Sequence, residues 1–239
     1  MLSKKTKMLR LSALSLAVAG AMSFSHAASA EGVDVSGSVG VANMYLWRGE
    51  NLGGTNNGSA AVSGSLQAGY KGAYAGMWGS SGDTTNGTEL DFYTGYGTEF
   101  KGFSADLSVW NYYYPNHGDN TSLYDHAYDK TVNNNFGGLS ETVLSLGYAG
   151  FTVTGYKNIA GDIGYSYYTL AYSYKAFTVL AGKHEFSTID AAGKGHDMVH
   201  VDVSYAYNDN LTFTLSQQVD NAINDRLKFV VAYSLPIGK

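Results

Sequence analysis

The sequence predicts an all-β chain: a single antiparallel transmembrane β-barrel of about twelve strands, with short turns at one end and longer loops at the other. Three observations predict it. Segment after segment alternates apolar and polar residues with period 2, the pattern of strands whose two faces meet different surroundings. Tight turns flanked by aromatic or apolar residues, at Lys71-Gly72, Lys101-Gly102, Ala149-Gly150, Lys175-Ala176 and Asn208 to Asn210, alternate along the chain with longer polar connections. That asymmetry is the one between periplasmic turns and outer loops, with an aromatic rim. Finally, after residue 30 no apolar run approaches the ~20 residues of a membrane helix, and a closed sheet is the other structure that satisfies its backbone inside lipid.

Composition agrees. Gly 30, Tyr 20, Pro 2 and only 15% charged residues suit strands and tight turns and are the reverse of a disordered chain. Cys is 0, which excludes a disulfide framework, a thiol nucleophile and cysteine metal sites. Lys4, Lys5, Lys7 and Arg10, the apolar Leu11 to Met22 and the small residues Ala28-Ser29-Ala30 read as a secretory signal peptide over 1–30, cleaved to leave 31–239 as one barrel domain. Cleavage removes four of the 15 Lys+Arg and none of the 20 Asp+Glu, so the mature chain carries 11 against 20, a formal charge of -9. Such an acidic exported chain is no binder of nucleic-acid backbone. Its expected address is the outer membrane of a Gram-negative envelope.

Taken in order, the first strand is predicted over Val33 to Arg48, with Val33, Val35, Val39, Val41 and Tyr45 toward lipid and Asp34, Ser36, Ser38 and Arg48 toward the lumen. Gly49 to Ser59 reads as an outer loop. Strands over Ala60 to Tyr70 and Ala73 to Ser80 precede a second outer loop, Ser81 to Gly87. Thr88 to Glu99 sets Leu90, Phe92 and Tyr96 against Glu89, Asp91 and Tyr93; Phe103 to Tyr114 sets Leu107 and Val109 against Asp106, Ser108 and Trp110. The longest connection, Pro115 to Gly137, is predicted without regular structure, a length that is usually functional. Four strands follow, over Gly138 to Ala149, Phe151 to Ala160, Tyr165 to Tyr174 and Phe177 to His184. In the last pair Tyr168, Leu170, Tyr172 and Tyr174 share one face, as do Phe177, Val179 and Ala181. Glu185 to Asp197 is another outer loop. The series closes with Met198 to Tyr207, Leu211 to Gln218 and Leu227 to Leu235.

Four stretches of the first half carry a family resemblance: Tyr45 with Arg48-Gly49, YAGMWGS at Tyr74 to Ser80, ELDFYTGY at Glu89 to Tyr96, and YYYP at Tyr112 to Pro115. Together they resemble the TorF-type porin family of bacterial envelope proteins, the Gcw_chp domain. Past Pro115 the likeness is that of barrel strands in general. The resemblance implies an outer-membrane barrel with a passive pore and brings no catalytic residues with it. Here Leu46-Trp47 precedes Arg48, a departure from the family's aromatic-arginine run.

The candidate functional residues are the charges on the polar parity: Asp34, Arg48, Glu89, Asp91, Asp106, His200 and Asp202. On the lipid face a charge costs about 2–4 kcal/mol at the midplane, so these are expected to line the lumen. Twelve strands lie between filled ~8-stranded barrels and open ~16-stranded ones, predicting a narrow lumen. Acids outnumber Arg48, which predicts weak cation preference in a diffusion channel for small hydrophilic solutes or ions. The competing reading is an internal ion-pair network, Arg48 held by Glu89 or Asp91, in a barrel without flux, since buried charges must be paired.

Two other classes have weaker support. An outer-membrane lipid hydrolase needs a serine and a histidine together; His184 near Ser187 and His196 toward Ser204 carry no recognisable motif, so the chain is expected not to be an enzyme. His196 and His200 share a face but stand about 13 Å apart by strand rise, too far for one ion. His117, Asp119, Asp125 and His126 match no ligand spacing, and no cofactor is expected. A surface protein acting in adhesion or structure through its Gly-, Asn- and Thr-rich loops fits as a further alternative. Expected partners are outer-membrane lipid, the barrel assembly machinery and small solutes or ions, with homo-oligomers common among such barrels.

Overall fold

The computed structural model describes residues 32–54, 58–117, 121–125, 130–161, 163–185, 198–219 and 226–237. Twelve antiparallel strands close into one barrel. They are β1 (Asp34–Ala42), β2 (Ala61–Tyr70), β3 (Ala73–Asp83), β4 (Gly87–Phe100), β5 (Phe103–Tyr113), β6 (Ser140–Tyr148), β7 (Phe151–Ala160), β8 (Ser166–Tyr174), β9 (Phe177–Glu185), β10 (Met198–Ala206), β11 (Leu211–Gln218) and β12 (Lys228–Ile237). Each pairs with its sequence neighbours, and β1 closes on β12 from Gly37 opposite Ile237 to Ala42 opposite Ala232. The predicted signal peptide and most of the predicted loop over 185–197 lie outside the described residues.

Strand ends match the sequence pattern to within a few residues except at β1, which stops at Ala42 rather than running to Arg48. The reason is local. Asn43 extends the seam with its side chain: Nδ2 donates to the Phe229 carbonyl at 3.0 Å, and Oδ1 accepts from the Val231 amide at 2.7 Å. Met44, Tyr45 and Leu46 then follow as three consecutive buried apolar residues, which no one-sided strand accommodates. The connection over 115–137 also differs from expectation. It holds a 3₁₀ turn, Pro115–His117, and a small hairpin of Thr121–Asp125 with Lys130–Asn134. Asn134 anchors this hairpin to β5 through both the amide and the carbonyl of Tyr114.

At the opposite end, Lys71-Gly72, Lys101-Gly102 and Ala149-Gly150 form two-residue turns with both residues left-handed (φ 50 and 90°, 50 and 83°, 52 and 87°). This is the turn whose twist matches paired strands. The outer face is apolar, with Val39, Val62, Leu66, Leu107, Leu146, Val153, Leu170 and Val179 all exposed. Near the turns it becomes aromatic in register: Phe100, Phe103, Tyr148, Phe151 and Tyr172 sit side by side across four strand pairings, and Tyr174, Phe177, Tyr205 and Phe213 continue the belt. Rings stack along it, Phe103 on Tyr148 at 4.0 Å.

The inner face is mixed: Tyr74, Tyr93, Trp110, Val143, Tyr156, Tyr165 and Tyr167 form a buried cluster on it, and much of the remainder is polar. On the turn side it carries hydroxyl pairs bridging neighbouring strands: Ser38 with Ser65, Ser145 with Thr154, Ser173 with Thr178 and Ser204 with Thr214, each at 2.8 to 2.9 Å. Several of these, Ser38, Ser65, Ser145 and Ser173 among them, are only half-buried.

Candidate functional site in the lumen

The loop-side half of the barrel is occupied by its own chain. After Asn43 the backbone turns inward, and Leu46–Trp47 pairs with Glu50–Asn51 as a miniature hairpin. Arg48 and Gly49 form its tip, again both left-handed (φ 47 and 84°). One flank of this hairpin packs Met44 and Leu46 against Val230 and Ala232 of β12; behind it Tyr45 packs with Leu52 and Ala61. The tip reaches the far wall, where Gly49 lies so close to His200 that an added Cβ would stand 2.4 Å from its ring.

At that wall Arg48, 3% exposed, meets Glu141 of β6: Nη2 donates to Oε1 at 2.6 Å and to Oε2 at 2.8 Å. Tyr112 donates its hydroxyl to the same carboxylate. Four rings surround the guanidinium, those of Trp47, Tyr156, Tyr165 and Tyr167, with centroids 4.6 to 5.5 Å away. A planar, weakly hydrated cation suits this pocket better than an ammonium would.

A hydrogen-bond circuit ties the tip down. His184 Nε2 lies 2.8 Å from the Arg48 carbonyl, which can only accept, so Nε2 carries the proton. In the neutral ring Nδ1 then accepts from the Tyr165 hydroxyl at 2.8 Å, and the Tyr165 oxygen accepts from Arg48 Nη1 at 3.2 Å. The loop runs from the arginine side chain back to its own backbone. Beside it, His200 Nδ1 donates to Asp202 at 3.0 Å and Nε2 accepts from the Tyr167 hydroxyl at 2.7 Å. Gly182 leaves room for that contact; a Cβ there would meet His200 Nε2 at 2.2 Å and the Tyr167 oxygen at 2.3 Å.

The remaining candidates divide in two. Glu89 and Asp91 are both buried against the near side of the inner hairpin, where Glu89 accepts from the Tyr45 hydroxyl. Asp91 Oδ1 is buried with no hydrogen-bond partner among the described residues. Asp34 and Asp106 stand apart in the turn-side half. Asp106 is half-buried and accepts from Tyr74 through both oxygens at 2.9 and 3.0 Å.

Of the sequence-selected charges, Arg48, Glu89, Asp91, His200 and Asp202 are buried within the barrel, but Arg48 is held by Glu141, not by Glu89 or Asp91. Its reach explains the difference: once the chain turns inward at Asn43, the tip crosses the lumen and points at β6 to β10. Sequence reasoning passed over Glu141, Tyr165, Tyr167 and His184 as partners of Arg48. Their signal was parity, since Glu141, Tyr167 and His184 share the inward face of their strands. The loop group at His117, Asp119, Asp125 and His126, and the residues Ser187 and His196, lie outside the described side chains. Ser204 pairs with Thr214, and His184 and His200 meet tyrosines.

No curated protein matches this sequence. Among solved structures, the chain is similar to the KdgM porin, at 10% identity over 85% of this chain and 99% of that one, with a TM-score of 0.46. Outer membrane phospholipase A from Escherichia coli shares 10% identity over 85% and 90% of the two chains, with a TM-score of 0.39. The outer membrane protein OprD from Pseudomonas aeruginosa shares 13% over 87% and 65%, with a TM-score of 0.36. A family model described as a bacterial protein of unknown function (Gcw_chp) matches residues 25–149, more than half of the chain; the chain therefore belongs to the Gcw_chp family.

Proposed function

We propose that this protein is an outer-membrane channel of the TorF porin type, passing small hydrophilic solutes or ions through a lumen constricted by its inner hairpin. The observation that carries the reading is the exposed apolar and aromatic exterior, set around an interior that holds hydroxyls and carboxylates together with a buried cluster of tyrosines and Trp110. A soluble sheet with this exterior would aggregate, and a lumen with no aqueous role has no use for half-buried serines. On this reading the turn-side half is a hydrated vestibule bearing Asp34 and Asp106. The loop-side half is the constriction, bearing Arg48, Glu89, Asp91, His200 and Asp202. The charge of Arg48 is matched by Glu141, so the unpaired surplus is acidic and favours weakly held cations.

Planar-bilayer recording on the refolded barrel tests it. Small discrete steps with a cation-favouring reversal potential are expected, growing when residues 44–52 are replaced by a short Gly-Ser linker. Silence from both inserted proteins would overturn the channel. One observation favours a second reading: Tyr45, Leu46, His184 and His200 are at most 1% exposed, so the hairpin fills its level of the lumen. A barrel closed in this way would act through its outer loops, as a surface or adhesion protein, and would be silent as it stands while conducting once the linker replaces the hairpin.

A further inference from the structure

Outside the barrel, on the turn-side half, β4 to β7 enclose a shallow concavity of about 420 Å³ that the channel reading does not use. Its floor is the register row Thr98, Ala105, Leu146 and Val153, and its lower wall is the aromatic row through Phe103 and Tyr148. The hollow exists because Ala105 brings only a methyl group to a row otherwise built from larger side chains. The exposed Lys101 stands at the turn just beneath, its ammonium 5.1 Å from the centre of the Phe100 ring. Ala105 lies about 10 Å above that turn by strand rise. Carboxylates do not compete on this face: Glu99, the nearest acid in sequence, has the lumen parity of Glu89 and Asp91.

We infer that this concavity binds one acidic phospholipid, its acyl chain along Ala105 and Leu146 and its phosphate on Lys101. The inference rests on the proposed membrane setting and deepens it from general lipid contact to one site. Charge complementarity selects the headgroup, and the apolar trough at the right depth selects the chain. Lys175 provides the internal control, since it repeats the ring contact at a strand turn, 5.1 Å from Tyr174, away from the hollow.

The test uses the full barrel in vesicles of phosphatidylethanolamine with a minor fraction of phosphatidylglycerol. Flotation with the vesicles and protease protection come first, and their failure would sink the membrane setting on its own. Native mass spectrometry then counts phosphatidylglycerol carried on the released protein. One retained molecule is expected, reduced about five-fold in K101Q, the change one lysine near an anionic surface is worth. A105F, which fills the hollow, is expected to lose it too, while K175Q keeps it. Equal loss in K175Q, wild-type retention in K101Q, or equal retention of phosphatidylethanolamine would each overturn the site. Should A105F fail to fold by heat-modifiable mobility, the comparison of K101Q with K175Q still decides.

Discussion

Replacing Glu141 by alanine should open the lumen rather than unfold the barrel. The substitution leaves Arg48 buried at 3% exposure with its carboxylate partner gone, a loss typically worth about 3–5 kcal/mol. Four ring contacts between 4.6 and 5.5 Å remain to hold the guanidinium, which places the effect at the low end, about 3 kcal/mol. That energy acts on a hairpin tethered at both ends and not on the strand ladders, whose hydrogen bonds are untouched. The ratio of docked to undocked hairpin should therefore fall by about 10². Single-channel recording reads this as longer or larger openings, and limited proteolysis as new cleavage within 44–52. The double variant Arg48→Met, Glu141→Leu provides the decisive comparison. An apolar replacement of a buried ion pair is often neutral or stabilising, and the His184 bond to the backbone carbonyl of residue 48 survives in it, so closure should return. E141A with the conductance and cleavage pattern of the parent would refute the reasoning, as would a double variant as open as the single one.

Gly182→Ala should loosen the same wall from the other side, because its Cβ would stand 2.2 Å from His200 and 2.3 Å from the Tyr167 oxygen; a cost of about 1–3 kcal/mol is expected, read as raised open probability. Tyr45→Phe removes the hydroxyl that Glu89 accepts from in a fully buried site, and urea unfolding should register a loss of about 1–3 kcal/mol. Asn43→Ala strips two hydrogen bonds from the β1–β12 seam and should lower the midpoint of thermal unfolding, each bond contributing about 0.5–1.5 kcal/mol, without altering ion preference. Neutralising Asp34 and Asp106 together should do the converse, shifting the reversal potential toward zero in a salt gradient while thermal stability holds.

The barrel was legible because its information is local: parity fixes which side each residue faces, and at three of the five short turns a Gly after the first turn residue fixes where the hairpin closes. The hydroxyl lining and the aromatic belt follow from the same two rules. What parity cannot report is distance across a lumen. Arg48 and Glu141 are 93 residues apart, and nothing in either neighbourhood points at the other. Extending the first strand through Arg48 kept its charge on the barrel wall, with Glu89 or Asp91 as its expected partners, whereas the chain leaves the wall at Asn43.

One local signal for the inner hairpin was nevertheless present. Trp47-Arg48-Gly49 repeats the order aromatic, cation, glycine found in Tyr70-Lys71-Gly72 and Phe100-Lys101-Gly102, and all three are left-handed two-residue turns. The motif encodes a reversal, wherever it falls. At the rim of the barrel its lysine is exposed and lies over the preceding ring; between Leu46 and Asn51 it is too close to the end of β1 to start another wall strand. With Met44, Tyr45 and Leu46 needing burial, the reversal can only be made inside the barrel. There arginine rather than lysine fits, since Glu141, Tyr165 and four ring faces together ask for a planar cation with several fixed donors. Exchange of Arg48 for lysine thus asks whether the turn or its contacts hold the hairpin in place. A lysine keeps the left-handed turn and the charge but can satisfy only part of that set, so Arg48→Lys should open the channel nearly as far as Glu141→Ala; parental conductance in it would mean that the turn alone holds the hairpin.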